Sequence, residues 1–426
     1  MVKKRILVLL FLSFGVSRLK AMVADSRYFP WYPHSYMRTA SERSIVEGGA
    51  FFVIGNGARG SDTLIGITSG ILGANEPLEH IGIPEIWGIY DQTKVSQALT
   101  RTNKLTPLSP QWQMQKVIPW RSYGKIAGQG VYLNAELGFE NGFSFGGSTY
   151  AMHVTSVQRF TLPNVTIRDM NLLPAQVIQL DAQRRAMNDL LGLTGAQWSK
   201  TGMTDTEVHI RYGFIKDYVA KFRKIDLGIL AGLLLPTGVL RDYNNPASVP
   251  FGANGHMGFY GGVEGMFELK EDWTLGIRLQ IEDLLAKTQL TRMPVNNETI
   301  LYGAVVGLAK VDPGVTIVFC PSFTMGDLRD GCGAGLQYTL AFHAGDVWTD
   351  MRTDQSIPTT LNNMYELSQW TAEYLTASVF YDPNRESRDD RAYPILTFKW
   401  DIPVKIFGAE SVSKTNLISL GISFHF

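Results

Sequence analysis

Charge is scarce in this chain. Asp, Glu, Lys and Arg make up 18% of its 426 residues, where an ordinary globular chain carries about a quarter. The 39 basic residues cancel the 39 acidic ones. No Lys/Arg cluster is interleaved with aromatics, so the electrostatic footprint of a nucleic-acid-binding protein is missing and no nucleic-acid partner is expected. There are only two cysteines, Cys320 and Cys332, which excludes a disulfide-rich scaffold; without spaced Cys or His partners they do not make a zinc site either. The seven histidines contain no His-Glu-x-x-His pattern or ligand-like cluster, and no metal or cofactor is expected. After the first twenty residues no apolar run reaches the ~18 residues of a membrane-spanning helix, which excludes a helical membrane protein.

The chain does have 42 glycines, 11% aromatics and a marked N-terminus. Lys3, Lys4 and Arg5 precede an apolar stretch over 6–16, and Ala21-Met22-Val23-Ala24 offers small residues for cleavage. This is the layout of a secretory signal peptide over 1–24, despite the two charges of Ser17-Arg18-Leu19-Lys20. The remainder, 25–426, is expected to form a single domain.

The period of that domain is two. Over 273–282 Trp273, Leu275, Ile277, Leu279 and Ile281 alternate with Thr274, Gly276, Arg278, Gln280 and Glu282, a strand with one wet face. The same alternation sets Val131, Leu133, Leu137 and Phe139 against Asn134 and Glu136, and Val208, Ile210, Tyr212 and Phe214 against Glu207, His209 and Arg211. It sets Phe259, Val263, Phe267 and Leu269 against Tyr260, Glu264 and Glu268, and Leu396, Phe398, Trp400 and Ile402 against Lys399, Asp401 and Lys405. A soluble sandwich also alternates, but many of these segments run ~10 to 15 residues, which suits a tilted bilayer crossing better than a soluble strand. Tight turns are expected at Glu140-Asn141-Gly142, Lys270-Glu271-Asp272 and Asp312-Pro313-Gly314, and long loops at 156–202, 237–255 and 286–299. Short turns on one side and long loops on the other are how outer-membrane barrels are built.

Thirteen strands are legible, near 44–54, 126–139, 142–154, 204–217, 223–236, 256–269, 272–285, 300–311, 314–325, 331–342, 369–381, 392–405 and 414–426. A barrel with both ends on one side needs an even number, and a reversal at His343-Ala344-Gly345-Asp346 into 347–352 supplies it. The expected fold is therefore all-β, a closed antiparallel transmembrane β-barrel of about 14 strands. Residues 57–120, with five prolines and a helix-like stretch over 92–103, cannot face lipid and must form a lumen plug or an outer cap. A short loop helix is expected over 181–193.

At the carboxyl end Ile418, Leu420, Ile422, Phe424 and Phe426 alternate with Ser419, Gly421, Ser423 and His425. This resembles the closing strand of Gram-negative outer-membrane β-barrel proteins, porin-like ones among them. The resemblance implies the outer membrane as location, its lipid and the barrel-assembly machinery as partners, and Phe426 as the assembly signal. The fourteen-strand count, the irregular segment before the second strand and the stretch 228–235 running into Pro236-Thr237-Gly238 look like the fatty-acid and aromatic-compound transporter barrels. That likeness is architectural; it implies a luminal hatch and hydrophobic solutes, and carries over no binding residue.

Two motifs compete with this reading. Gly55-Asn56-Gly57-Ala58-Arg59-Gly60 fits the dinucleotide fingerprint but lacks a following helical stripe, so a turn leaving the first strand is expected there. Gly142-Phe143-Ser144-Phe145-Gly146 fits a nucleophile elbow but begins a hairpin strand, which leaves Ser144 a small strand residue. Cys320 and Cys332 flank one hairpin on opposite faces, which argues against a bridge. The lumen-facing candidates are Glu136, Glu207, Arg211, Glu264, Glu268, Arg278, Glu282, Lys399, Asp401 and Lys405. They either set selectivity as charge rings or pair with one another and solvate the interior. The expected function is a non-enzymatic channel or transporter for passive passage of small solutes, hydrophobic ones included. The alternative is a non-transporting surface barrel, adhesin-like or structural; a membrane-face hydrolase lacks a convincing Ser/His pair.

Overall fold

The computed structural model describes residues 27–29, 44–59, 89–102, 118–296, 298–383 and 393–425. The expected signal peptide and Phe426 lie outside the described residues, as do 60–88 and 103–117 of the irregular segment. In chain order the strands are β1 (Ile45–Arg59), β2 (Ile89–Asp91), β3 (Pro119–Gly138), β4 (Phe143–Thr161), β5 (Gln197–Met203), β6 (Thr206–Val219), β7 (Phe222–Leu235), β8 (Gly258–Lys270) and β9 (Trp273–Leu284). They continue with β10 (Lys287–Met293), β11 (Val305–Asp312), β12 (Thr316–Arg329), β13 (Cys332–His343), β14 (Val347–Asp350), β15 (Trp370–Tyr381), β16 (Ile395–Pro403) and β17 (Val412–His425). The helices are α1 (Gln92–Arg101), α2 (Asn164–Asp169), α3 (Pro174–Leu190) and α4 (Met364–Ser368).

Twelve of these strands, β1, β3, β4, β6 to β9, β12, β13 and β15 to β17, form one closed antiparallel barrel. Closure is made by β1, which pairs with β3 on one side and with β17 on the other, from Ile45 opposite His425 to Arg59 opposite Val412. The fourteen-strand expectation is therefore corrected to twelve. β9 pairs directly with β12, while β11 and β14 leave the wall and join β10 in a separate three-stranded sheet. The expected turn at Asp312-Pro313-Gly314 accordingly joins a sheet strand to a barrel strand on the long-loop side. β1 also runs past Gly55 to Arg59 through a register shift, so a bulge stands where a turn was expected.

Side-chain period builds the wall inside out relative to a soluble protein. On β9 Trp273, Leu275, Ile277 and Leu279 are exposed outward, whereas Gln280 and Glu282 are buried within. On β17 Leu420, Ile422 and Phe424 are exposed and Ser419 and Ser423 are buried. Phe52, Ile54, Val131, Leu133, Phe145, Ile210, Phe214, Ile229, Val263, Phe319, Leu336, Val379 and Phe398 extend the exposed apolar band around the barrel. A continuous band of that extent in water would be an association surface far beyond the few hundred Å² a soluble monomer tolerates; against hydrocarbon it is what a spanning barrel requires. The shortest barrel strand, β16, still has 9 residues, enough to cross at a tilt of ~45°.

The two barrel ends differ. Ile45 and His425, the outer ends of the first and last barrel strands, sit at the same rim as the reversals after β3, β6, β8 and β12. The last of these uses Asp330 and Gly331 at φ 50° and 75°, the left-handed pair that matches the twist of a two-residue hairpin. The opposite rim carries the long connections, and their described parts fold onto it. β5 folds back on β4 from Ala151–Met203 to Val157–Gln197, and α1, α3 and the three-stranded sheet bury one apolar cluster that includes Val95, Leu99, Leu180, Met187, Met293 and Tyr302. The described part of the irregular segment thus packs into a cap above the rim. α3 begins at Pro174, earlier than the expected start, because a proline at the first turn gives up no helical hydrogen bond. Four tight turns and both strand ends on one side, where only the connection 382–394 is longer, and the longest connections on the other make this an outer-membrane-type transmembrane β-barrel.

Candidate functional site: the barrel interior and its mouth

The interior is a polar network assembled from neighbouring strands. Arg211 of β6 reaches Asp226 of β7 at 2.6 Å and also binds Glu264 of β8. Arg278 of β9 lies 3.5 Å from Glu264 and donates to Gln280, whose amide donates to Glu282 at 3.2 Å. Gly228 makes the first of these contacts fit, because a Cβ there would fall on the Arg211 guanidinium. Gly232 does the same for the ring of Tyr260, which donates to Glu207. Across the closure Lys399 of β16 pairs with Glu47 of β1 at 3.0 Å, and Tyr132 donates to the same carboxylate. Asp401 accepts from Thr376 at 2.5 Å, and Ser144 donates to Glu136.

Of the residues singled out from sequence, Arg211, Glu264, Arg278 and Glu282 fall into one linked network, with Glu207 and Tyr260 beside it. Lys399 and Asp401 lie on another part of the wall, and Glu268 sits at the short-turn rim, 3.8 Å from Arg223. Lys405 is not in a strand. β16 ends at Pro403, and Lys405 is exposed in the connection to β17. Glu47, Asp226 and Glu373 were missed. Glu47 stands in the inward phase of β1 and could have been read from it, whereas Asp226 is hidden in a strand apolar on both faces. Cys320 is buried and Cys332 exposed, and both are free. Among the described residues no group of His, Cys, Asp or Glu is arranged to hold a metal.

The long-loop rim is tied down by single side chains that each satisfy several backbone groups. Glu373 of β15 accepts from the backbone N–H groups of Ile406, Phe407, Gly408 and Ala409 at 2.6–3.0 Å, which folds the last connection over the wall. Asp205 accepts from Gly238 and Ala253 at 2.8 and 2.6 Å; burial raises its carboxyl above the usual range while these two bonds oppose the shift. His343 stacks on Trp370 at 5.3 Å, bonds Thr316 through Nδ1 and lies 3.0 Å from Asp346 through Nε2. Burial disfavours the Asp346 carboxylate, but His343 and the Gly314 N–H outweigh that and hold it below its ordinary value.

Arg292 knits the cap together. Its guanidinium donates to the carbonyls of Tyr243, Gly303 and Leu191 and to the Asn244 side chain, at 2.7–3.2 Å. Burial pushes it down to about 10 against the opposing pull of Tyr243 and Asp242, and it stays protonated at neutral pH. Arg292→Met is expected to leave three enclosed carbonyls without donors, at roughly 1–3 kcal/mol each. Limited proteolysis should then cut within 160–195 and 285–315, while the barrel keeps its heat-modifiable shift on a gel; an unchanged digestion pattern would remove Arg292 from this role.

Between cap and rim lies a cavity of about 170 Å³. Its walls come from the 236–257 loop, from β10 and β14, and from the rim ends of barrel strands at Leu284, His343 and Trp370. Burial lowers His256, on this wall, below the usual histidine range, and its Nδ1 stands 2.9 Å from the Leu285 carbonyl. The cavity therefore lies between the loops and the rim of the barrel.

No protein-family model matches this chain, and no curated protein does. Among solved structures it is similar to an outer membrane channel from Pseudomonas putida F1, at 8% identity and TM-score 0.46 over 93% of this chain and all of that one. It is also similar to the NanC porin, at 12% identity and TM-score 0.31 over 72% of this chain and 98% of that one. The third is the Pseudomonas putida toluene transporter TodX, at 10% identity and TM-score 0.31 over 90% and 89%.

Proposed function

We propose that the protein is an outer-membrane channel that passes small solutes from the capped mouth through the barrel. The observation that carries this reading is the cavity walled jointly by cap loops and barrel rim. A barrel that merely anchored surface loops would have no need of a chamber at its mouth. The interior below is lined by side chains that are almost wholly enclosed, Glu47 at 2% and Glu282 at 0% exposure among them, so the passage is narrow and the solutes are small. The interior charges act mainly as mutual partners that hold the wall in shape, since Arg211, Arg278 and Lys399 each spend their donors on wall residues.

The same enclosure favours a second reading, a non-transporting surface barrel. Planar-bilayer recording together with solute flux into proteoliposomes separates the two. A channel gives discrete, low conductance and admits small solutes while retaining larger ones. Correctly folded protein that yields neither current nor flux overturns the channel and leaves the anchor.

A further inference from the structure

Two side chains at the mouth cavity bury donors that meet no acceptor among the described residues. Arg241 lines it, and its guanidinium Nε and Nη2 are enclosed without an acceptor among the described residues. Trp348 lines it too, and its indole Nε1 is enclosed in the same condition. Leaving such groups dry costs free energy that a built site recovers when an acceptor arrives. The acids on the same wall do not supply one. Asp242 accepts from the Asn244 backbone at 2.9 Å, and Asp346 is held by His343. Arg292, another enclosed guanidinium on this wall, spends its donors on neutral oxygens.

Shape narrows the ligand. The remaining wall is aromatic and aliphatic, with Tyr243, Trp370, Leu284 and Leu301. A cavity of about 150 Å³ takes one benzene ring, and this one has about 170 Å³. We infer that the mouth cavity is a binding site for small single-ring carboxylic acids, with the carboxylate on Arg241 and Trp348 and the ring among the aromatic side chains. A guanidinium presents paired N–H groups in the geometry a carboxylate accepts, whereas a neutral ring would leave the charge unanswered. Deeper in the barrel Arg211, Arg278 and Lys399 already hold wall carboxylates, so among the described residues the mouth is where an incoming acid first meets an uncommitted guanidinium. This inference rests on the channel reading only for its role in transport; binding itself is separable from passage.

The test is calorimetric titration of the detergent-solubilised full chain with benzoate, toluene and inorganic phosphate. Benzoate should bind more tightly than either of the others. Arg241→Met should weaken benzoate about tenfold or more, the loss of a charge-assisted hydrogen bond, and leave toluene nearly unchanged. Arg241→Lys should fall between, and Trp348→Phe should weaken benzoate by a few-fold; the heat-modifiable shift confirms that each variant is folded. Equal binding of benzoate and toluene, tighter phosphate binding, or an unaltered benzoate isotherm in folded Arg241→Met overturns the site. Absent benzoate binding with intact conductance defeats this inference alone, whereas binding without flux defeats the channel alone.

Discussion

Replacing Arg211 with methionine is expected to destabilise the barrel by roughly 3–5 kcal/mol, because it leaves the enclosed Asp226 carboxylate without its cation. Arg211 and Asp226 are 6% and 1% exposed as side chains and lie 2.6 Å apart, and Glu264 shares the same guanidinium. The cost arises from the stranded charge and not from the loss of a favourable pair. Adding Asp226→Asn and Glu264→Gln to Arg211→Met should therefore recover most of the loss, since neutral partners no longer need compensation. Urea unfolding in lipid vesicles measures both. If the single variant lies within ~0.5 kcal/mol of the parent, a span typical of neutral surface substitutions, the interior is wet at this level and the network is not enclosed.

The second large effect lies on β9, at the residue before Arg278 and on the other face. Ile277 is 48% exposed near the middle of β9. On a water-soluble protein an arginine at so exposed a site would change stability by less than ~0.5 kcal/mol. At the midplane of a bilayer it costs about 2–4 kcal/mol. Ile277→Arg is expected to show the larger penalty in vesicle unfolding, and Ile277→Val almost none. The same substitution is expected to be milder close to the short-turn rim, at Trp273, because the penalty falls toward the interface.

The sequence reading succeeded where the signal is local. Alternation at 273–282 and 418–424 follows from the two-residue period of a strand, and each outward residue there needs only its own chain to declare its face. Pairing is not local. Residues 300–311 read as another wall strand, yet β9 meets β12 directly and β11 turns away with β10 and β14; nothing within the segment records which partner it takes. Asp312-Pro313-Gly314 has turn chemistry at either rim, so it could not decide the count.

The interior shows the same divide. Lys399 stands in the polar phase of its strand, but its partner Glu47 lies 352 residues away. Lys405 was assigned by extending the alternation through Pro403, where the strand stops. Asp226 escaped notice because β7 also buries Leu230 and Leu234 on its inward face, which erases the polar half of the pattern. Arg241 and Trp348 escaped because neither the loop nor the short strand that carries them has a period to mark an orphaned donor. Such a feature exists only once distant segments meet.

The central claim is that the apolar side chains face hydrocarbon and the polar ones an enclosed interior. Spin labels placed singly from 274 to 281 on β9, in a background lacking Cys320 and Cys332, test it in vesicles. Collision rates with oxygen, which concentrates in lipid, should peak at 275, 277, 279 and 281 and fall at the positions between. Uniformly low rates for both oxygen and a water-soluble nickel reagent at those four positions would mean that they are packed against protein, and a soluble sandwich would replace the membrane barrel.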